Sequence, residues 1–330
     1  MLTRNSYLAN TILGGSVGLA IGILIYAAMT WGAVSVIQDA PLEGCAGVCF
    51  PSPNQWSLPP YVSFGVSVAL TCLCVLLSIS LNTRFTLIPG TSVLYASLYL
   101  LAAGSVPWVA PRLSSAIILL GGTLVCTHLL FALYGRRNAS QGMFVIFSTL
   151  AWGAMIQYAF IMLMPIFMLG AIFLGVFRLR EIVGALLGIA TPFWIVLGLG
   201  IVSPHSFTLP TLTNLFTGYT DPGPLFFMML GQAFTALLLL VLTASNALVP
   251  PTTGQQHRSC IAFMNLLGIA MVWFMLFDYT NLLAYTSVLA FCLGFQAARY
   301  AAIPRHRFAY LPTLIAIPAY IAIYILTLTQ

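Results

Sequence analysis

The sequence predicts an all-α protein, a helical bundle crossing a lipid bilayer about eleven times. Three observations predict it: an apolar excess along the whole chain, very little charge, and arginines confined to the gaps between apolar runs. Of 330 residues, 61% are hydrophobic and 5% charged, against about 25% charged in a soluble domain. A water-exposed exterior needs polar side chains that this chain does not have. The excess is evenly spread, so residues 1–330 read as a single integral membrane domain.

Helices follow because hydrocarbon leaves every backbone amide to be satisfied within its own segment. A closed barrel meets the same rule, but through alternating strands of about ten residues, and the apolar runs here are continuous. The net charge of +6 comes from arginine alone, since the chain contains no lysine. Those arginines stand singly or in pairs, without the clustered basic face that nucleic-acid binding requires.

The first apolar run, Ala9 to Val36, follows Arg4. It is longer than the roughly 7–15 apolar residues of a secretory signal and lacks a small-residue cleavage site, so it reads as a retained first span. Further spans are expected near 61–82, 91–108, 113–134, 142–159, 160–177, 182–202, 223–247, 260–276, 280–298 and 308–328. Met143 to Phe177 carries no charge, and as one helix it would be about 52 Å long. It is expected instead to fold as a tight hairpin turning between Tyr158 and Pro165.

Orientation comes from the arginines. With the N-terminus in the cytoplasm, Arg4, Arg84, Arg136, Arg137, Arg178, Arg180, Arg258, Arg299, Arg305 and Arg307 all fall in cytoplasmic loops, and only Arg112 falls outside. That bias satisfies the positive-inside rule. Ten spans, with the hairpin left unsplit, would put many arginines on the wrong side. The expected C-terminus is periplasmic, with periplasmic loops at about 37–60 and 203–222.

The order Asn82-Thr-Arg-Phe-Thr-Leu-Ile-Pro-Gly, Arg136-Arg137, the uncharged hairpin, Arg178-Leu-Arg-Glu181 and Thr191-Pro-Phe-Trp194 resembles an uncharacterised family of multi-pass inner-membrane proteins from Bacteroidota. The likeness covers residues 60–200. It implies a bacterial inner membrane and a helical topology, and carries no activity with it.

Candidate chemistry concentrates outside. Asp39, Glu43, Asp221 and Asp278 are expected on the periplasmic face with His205 and Arg112, and only Glu181 is cytoplasmic. Asp39, just beyond the first span, resembles the acidic residue of integral-membrane glycosyltransferases that use polyprenyl-phosphate sugars. The resemblance implies a general base on the acceptor hydroxyl, with Arg112 holding the lipid phosphate. Against it stands the plain reading that loops are where charges belong, and the large exterior domain of those transferases is lacking. Cys45 and Cys49 are a candidate disulfide across the first periplasmic loop, with free thiols or a metal pair as alternatives. No His accompanies them, and no metal site is expected. Cys72, Cys74, Cys126, Cys260 and Cys292 read as packing residues.

Within the spans, His128 of the fourth is expected to be neutral and to hydrogen-bond a neighbouring helix, with a proton relay as the alternative. Gln157, Gln232, Asn265 and Gln296 are expected to bond between helices. Pro165, Pro192 and Pro318 are expected to kink their spans, and loop 203–222 either to run along the outer interface or to be an ordinary connection. Glycine phosphate loops, zinc helices and nucleophile elbows are all absent, and no cofactor is indicated. Three classes of function remain. The first is an envelope enzyme acting on a lipid-linked substrate. The second is a transporter or lipid-handling protein, and the third a non-catalytic subunit working with other envelope proteins.

Overall fold

A computed structural model describes residues 16–36, 46–88, 93–136, 138–203, 207, 212–213, 215, 225–248, 254–302 and 311–329. Among them are eleven α-helices and no strand. In chain order they are α1 Ser16–Val36, α2 Pro60–Phe85, α3 Leu94–Gly104, α4 Ser115–Ala132, α5 Ser140–Ile156, α6 Ala159–Phe173, α7 Leu179–Gly198, α8 Phe226–Ala247, α9 Gln255–Phe277, α10 Leu282–Ala302 and α11 Leu311–Leu328. Eight are long and apolar enough to cross a bilayer, the exceptions being α3, α5 and α6.

Successive helices alternate in direction. At one end, Asn54 ahead of α2 bonds Ser115 at the start of α4. The backbone of Val48 and Phe50 bonds the last carbonyls of α5. Gln157, after α5, donates to Asn281, just before α10, and Tyr324 near the end of α11 donates to Met29 near the end of α1. At the other end, Asn246 of α8 meets Gln296 of α10, and Ala139 ahead of α5 lies by Glu181 of α7.

The two ends differ in composition. All six tryptophans stand toward the first: Trp31, Trp152, Trp194 and Trp273 in the last turns of α1, α5, α7 and α9, Trp56 before α2 and Trp108 after α3. All but Trp108 are exposed. The described arginines Arg84, Arg136, Arg178, Arg180, Arg258 and Arg299 stand at the second end, and Arg112 alone of those described stands with the tryptophans.

The hairpin expected within Met143–Phe177 forms. Helix α5 stops at Ile156, Gln157 takes extended dihedrals, and α6 begins at Ala159. Pro165, Pro192 and Pro318 all lie inside helices that continue through them.

Helix α10 is the axis of the bundle: every residue from Leu282 to Arg299 is buried. It packs on α3, α4, α8 and α9. A side chain at Gly294 would strike the carbonyl of Tyr95 on α3. The tightest parallel pair is α5 with α7. Gly184 and Gly188, one turn apart, face the carbonyls of Ser140 and Phe144, and a Cβ at Gly184 would sit 2.6 Å from Ser140 O. This small-xxx-small geometry lets two backbones touch where lipid offers no hydrophobic drive for association.

The expected span 91–108 is the one that departs most from its sequence reading. Helix α3 has 11 residues, all buried except half-buried Ser97, and measures about 16 Å. The chain then runs irregularly from Ser105 to Ser114, through Pro107 and Pro111, which supply no backbone N–H. Non-helical backbone at membrane depth survives only inside protein or beside a cavity, and this segment is buried except for half-buried Trp108 and Arg112.

Candidate functional site

The irregular segment is held by polar groups of α2. Ser67 Oγ donates to Ala110 O at 2.9 Å, and Ser63 Oγ accepts from Leu113 N at 2.9 Å. Asn54 Oδ1 accepts from Ser115 N at 3.0 Å, opening α4. Ser67 lies seven residues into α2, about 10 Å below its start, so the segment dips into the bundle as a re-entrant turn. Between it and the 3-10 turn Pro53–Gln55 lies a cavity of about 220 Å3, lined by Arg112, Asn54, Ser63, Trp56 and, from the end of α1, Val34. A guanidinium, an amide and a hydroxyl around one cavity suit an oxyanion, since arginine presents a planar fork to phosphate or carboxylate. Neither sequence periodicity nor hydropathy pointed to Asn54 and Ser63. The signal available was Pro107 and Pro111 directly ahead of Arg112.

Asp278 belongs to another arrangement. It is 2% exposed and occupies the break between α9 and α10. Its Oδ1 accepts from Thr280 Oγ1 at 2.9 Å and Asn281 Nδ2 at 3.1 Å. Its Oδ2 accepts from Asn281 Nδ2 at 2.9 Å and Tyr285 OH at 2.7 Å. Asn281 Oδ1 in turn accepts from Gln157 Nε2 at 2.9 Å, and Tyr279 N donates to Thr213 O of the α7–α8 connection at 2.8 Å. The carboxylate therefore holds the α9–α10 break, which Asn281 and Tyr279 tie to the end of α5 and to the α7–α8 connection. To serve as a base it would have to give up bonds that hold this junction, and it does not line the Arg112 cavity.

Of the other candidates, Asp39, Glu43, Cys45, His205 and Asp221 lie outside the described residues. Cys49 is a free thiol, and burial pushes its pKa up. No group of three or more His, Cys, Asp or Glu able to hold a metal occurs among the described residues.

Of the four amides expected to bond between helices, Gln157, Asn265 and Gln296 do so, whereas Gln232 lines a cavity. Asn246 Nδ2 of α8 donates to Gln296 Oε1 at 2.9 Å, and Gln296 Nε2 donates to Asn265 Oδ1 of α9 at 2.6 Å. His128 differs from expectation. Its Nδ1 lies 3.2 Å from Leu124 O of its own helix, and its ring meets Phe85 of α2 edge-on at 6.2 Å. The carbonyl one turn back is within reach, and the neighbour offers an aromatic ring in place of a polar group.

A second cavity, of about 330 Å3, lies between α8 and α9 beside Leu215 and Leu282. Gln232 is the one amide in an otherwise apolar lining, and the exposed Phe226, Leu230 and Leu276 mark its outer side.

The fold and these sites define a multi-pass α-helical membrane protein with a buried re-entrant segment at its tryptophan-bearing end. No family model, no curated protein and no solved structure matches the chain.

Proposed function

We propose that the chain is a bacterial inner-membrane protein of cell-envelope biogenesis. In this reading it takes a lipid-linked substrate of the polyprenyl-phosphate-sugar class at the Arg112 cavity, on the periplasmic face. The observation that carries the reading is Arg112, the one arginine at the tryptophan end among the described residues, set on the re-entrant segment in a polar cavity. The orientation rests on the arginines of the opposite end and the positive-inside rule. Exposed tryptophans prefer the interface, which puts the cavity at headgroup level, where a lipid phosphate travels.

Asp39 follows the cavity-lining Val34 by five residues, and residues 37–45 connect two segments that both line the cavity. In the transfer we propose, Asp39 takes the proton of the acceptor hydroxyl. The acceptor oxygen then bonds the anomeric carbon, and the bond from that carbon to the phosphate oxygen breaks. The polyprenyl phosphate leaves as an anion, held by Arg112. Glu43, Asp221 and His205 are the further exterior groups assigned to acceptor binding.

The test uses purified full-length protein in neutral detergent with a polyprenyl phosphate. Arg112→Gln should weaken binding about tenfold or more, in line with the loss of a charge-assisted bidentate contact, while Asp39→Asn should bind normally and fail to complement a deletion strain. Undiminished binding by Arg112→Gln would end the reading. The map itself is checked by impermeant thiol labelling in a cysteine-free background. Cysteines placed at Ser57 should label from the periplasm, and those at Arg136 or Arg178 only after the cells are opened.

The apolar cavity between α8 and α9 favours a second reading, a lipid-handling protein or transporter. Its outer side meets hydrocarbon, and its lining suits an acyl or prenyl chain. Mutating Gln232 would then alter lipid movement while leaving phosphate binding at Arg112 intact.

A further inference from the structure

The arginine-bearing end carries a buried basic group remote from the Arg112 cavity. Arg299, in the last turn of α10, is 8% exposed, and its Nη1 is buried without a hydrogen-bond partner. A buried guanidinium without a counter-charge is costly, and this chain has few anions to offer. Of its five acidic residues, Asp278 lies at the opposite end. In sequence, Asp39 is three residues past the end of α1, Glu43 three before Ala46 and Asp221 four before Leu225, and Val36, Ala46 and Leu225 all stand at the tryptophan end. Glu181 lies against the start of α5, and its own Oε2 is unpartnered, so it does not neutralise Arg299.

What surrounds Arg299 is basic or amide. His257, in the first turn of α9, is close enough to feel its charge, and Arg258 follows. Asn246 Oδ1, on the last turn of α8, is buried and unpartnered. The N-terminus of α9 is a second, independent feature. The helix is 23 residues long, and no side chain caps its first amides, which carry the positive end of the helix dipole. The stretches joined to this cluster, 249–253 and 303–310, contain no acid, and the second adds Arg305, His306 and Arg307.

We infer that Arg299, His257 and the first turn of α9 bind a phosphate oxyanion, with the Nη1 group donating to it. Two sources carry that chemistry at this depth: the headgroup of an anionic lipid in the adjacent leaflet and a soluble phosphate. Basic pockets between helices take anionic headgroups elsewhere, and the site lies where the bundle meets the interface.

The test is thermal unfolding of the purified full-length protein in dodecylmaltoside, with added phosphatidylglycerol, phosphatidylcholine or inorganic phosphate. Phosphatidylglycerol is expected to raise Tm by roughly 4 °C or more in the wild type, and phosphatidylcholine to leave it unchanged. A rise with inorganic phosphate as well assigns the site to a soluble anion. A rise with neither overturns the inference. Arg299→Gln should abolish the rise, and an undiminished rise in that variant overturns the assignment to Arg299. If Arg299→Gln does not fold, Arg299→Lys and His257→Ala decide. Each should need several-fold more phosphatidylglycerol for half the shift, and an unchanged midpoint in both overturns it.

Discussion

Asp278→Ala is expected to destabilise the protein by about 3–5 kcal/mol, because it takes the acceptor from buried donors at a cost of about 1–3 kcal/mol each. The substitution strands the Tyr285 hydroxyl and the Asn281 amide, both buried, and loosens the α9–α10 break to which Gln157 is also tied. Asp278→Asn keeps the shape but turns one acceptor into a donor facing other donors, so it should recover only part of the loss. Tyr285→Phe, which removes a single bond, should cost about 1–2 kcal/mol. Denaturation of the detergent-solubilised variants reads all three. If Asp278→Ala unfolds like the wild type, the junction is not held by this carboxylate.

Leucine at Gly188 is expected to have the larger effect on assembly. The Cβ of any side chain there meets Phe144 O, and a Cβ at Gly184 meets Ser140 O, so α5 and α7 cannot keep their spacing. Neither obstacle is a flexible side chain able to swing aside; both are backbone. Gly188→Ala should cost about 1–3 kcal/mol. Gly184→Leu combined with Gly188→Leu should abolish accumulation of folded protein, read as monodisperse material on size exclusion. Gly65 and Gly198, where an added Cβ meets nothing, provide controls that should tolerate alanine.

The eleven helices were legible because hydrocarbon imposes one requirement on every segment, and uncharged runs of sufficient length announce it. The boundaries of α3 were not. The apolar run continues through Pro107 and Pro111 into α4, so mean hydropathy reads a full span where the chain leaves the helix at Gly104. The two prolines were the local clue, and they lost weight because Pro165, Pro192 and Pro318 also sit in apolar runs and are simply absorbed. The surroundings of Asp278 were illegible for a different reason. An acid at the edge of an apolar run looks solvated, and the residue that closes its network, Gln157, stands 124 positions from Asn281. The tryptophan asymmetry was legible in principle, since each of the six lies next to a boundary of the same sign. At the Arg112 cavity the arginine itself could be singled out from topology, whereas Asn54 and Ser63 acquire meaning only when α2 and the re-entrant turn lie side by side.

The short helices have a consequence for the membrane around the protein. Helix α5 has 17 residues and α6 has 15, giving about 25 and 22 Å against a hydrocarbon core of about 30 Å. Both present exposed apolar side chains, Val145 on α5 and Leu169 and Ile172 on α6 among them. Where these two helices cross the bilayer, lipids along that flank are expected to be drawn into a dimple, because stretching acyl chains past the helix ends would leave polar turns in oil. The two leaflets come closer there than around the 26-residue α2. A headgroup arriving on that side has less oil to pass, and the protein is disposed to sort into thinner patches of its membrane.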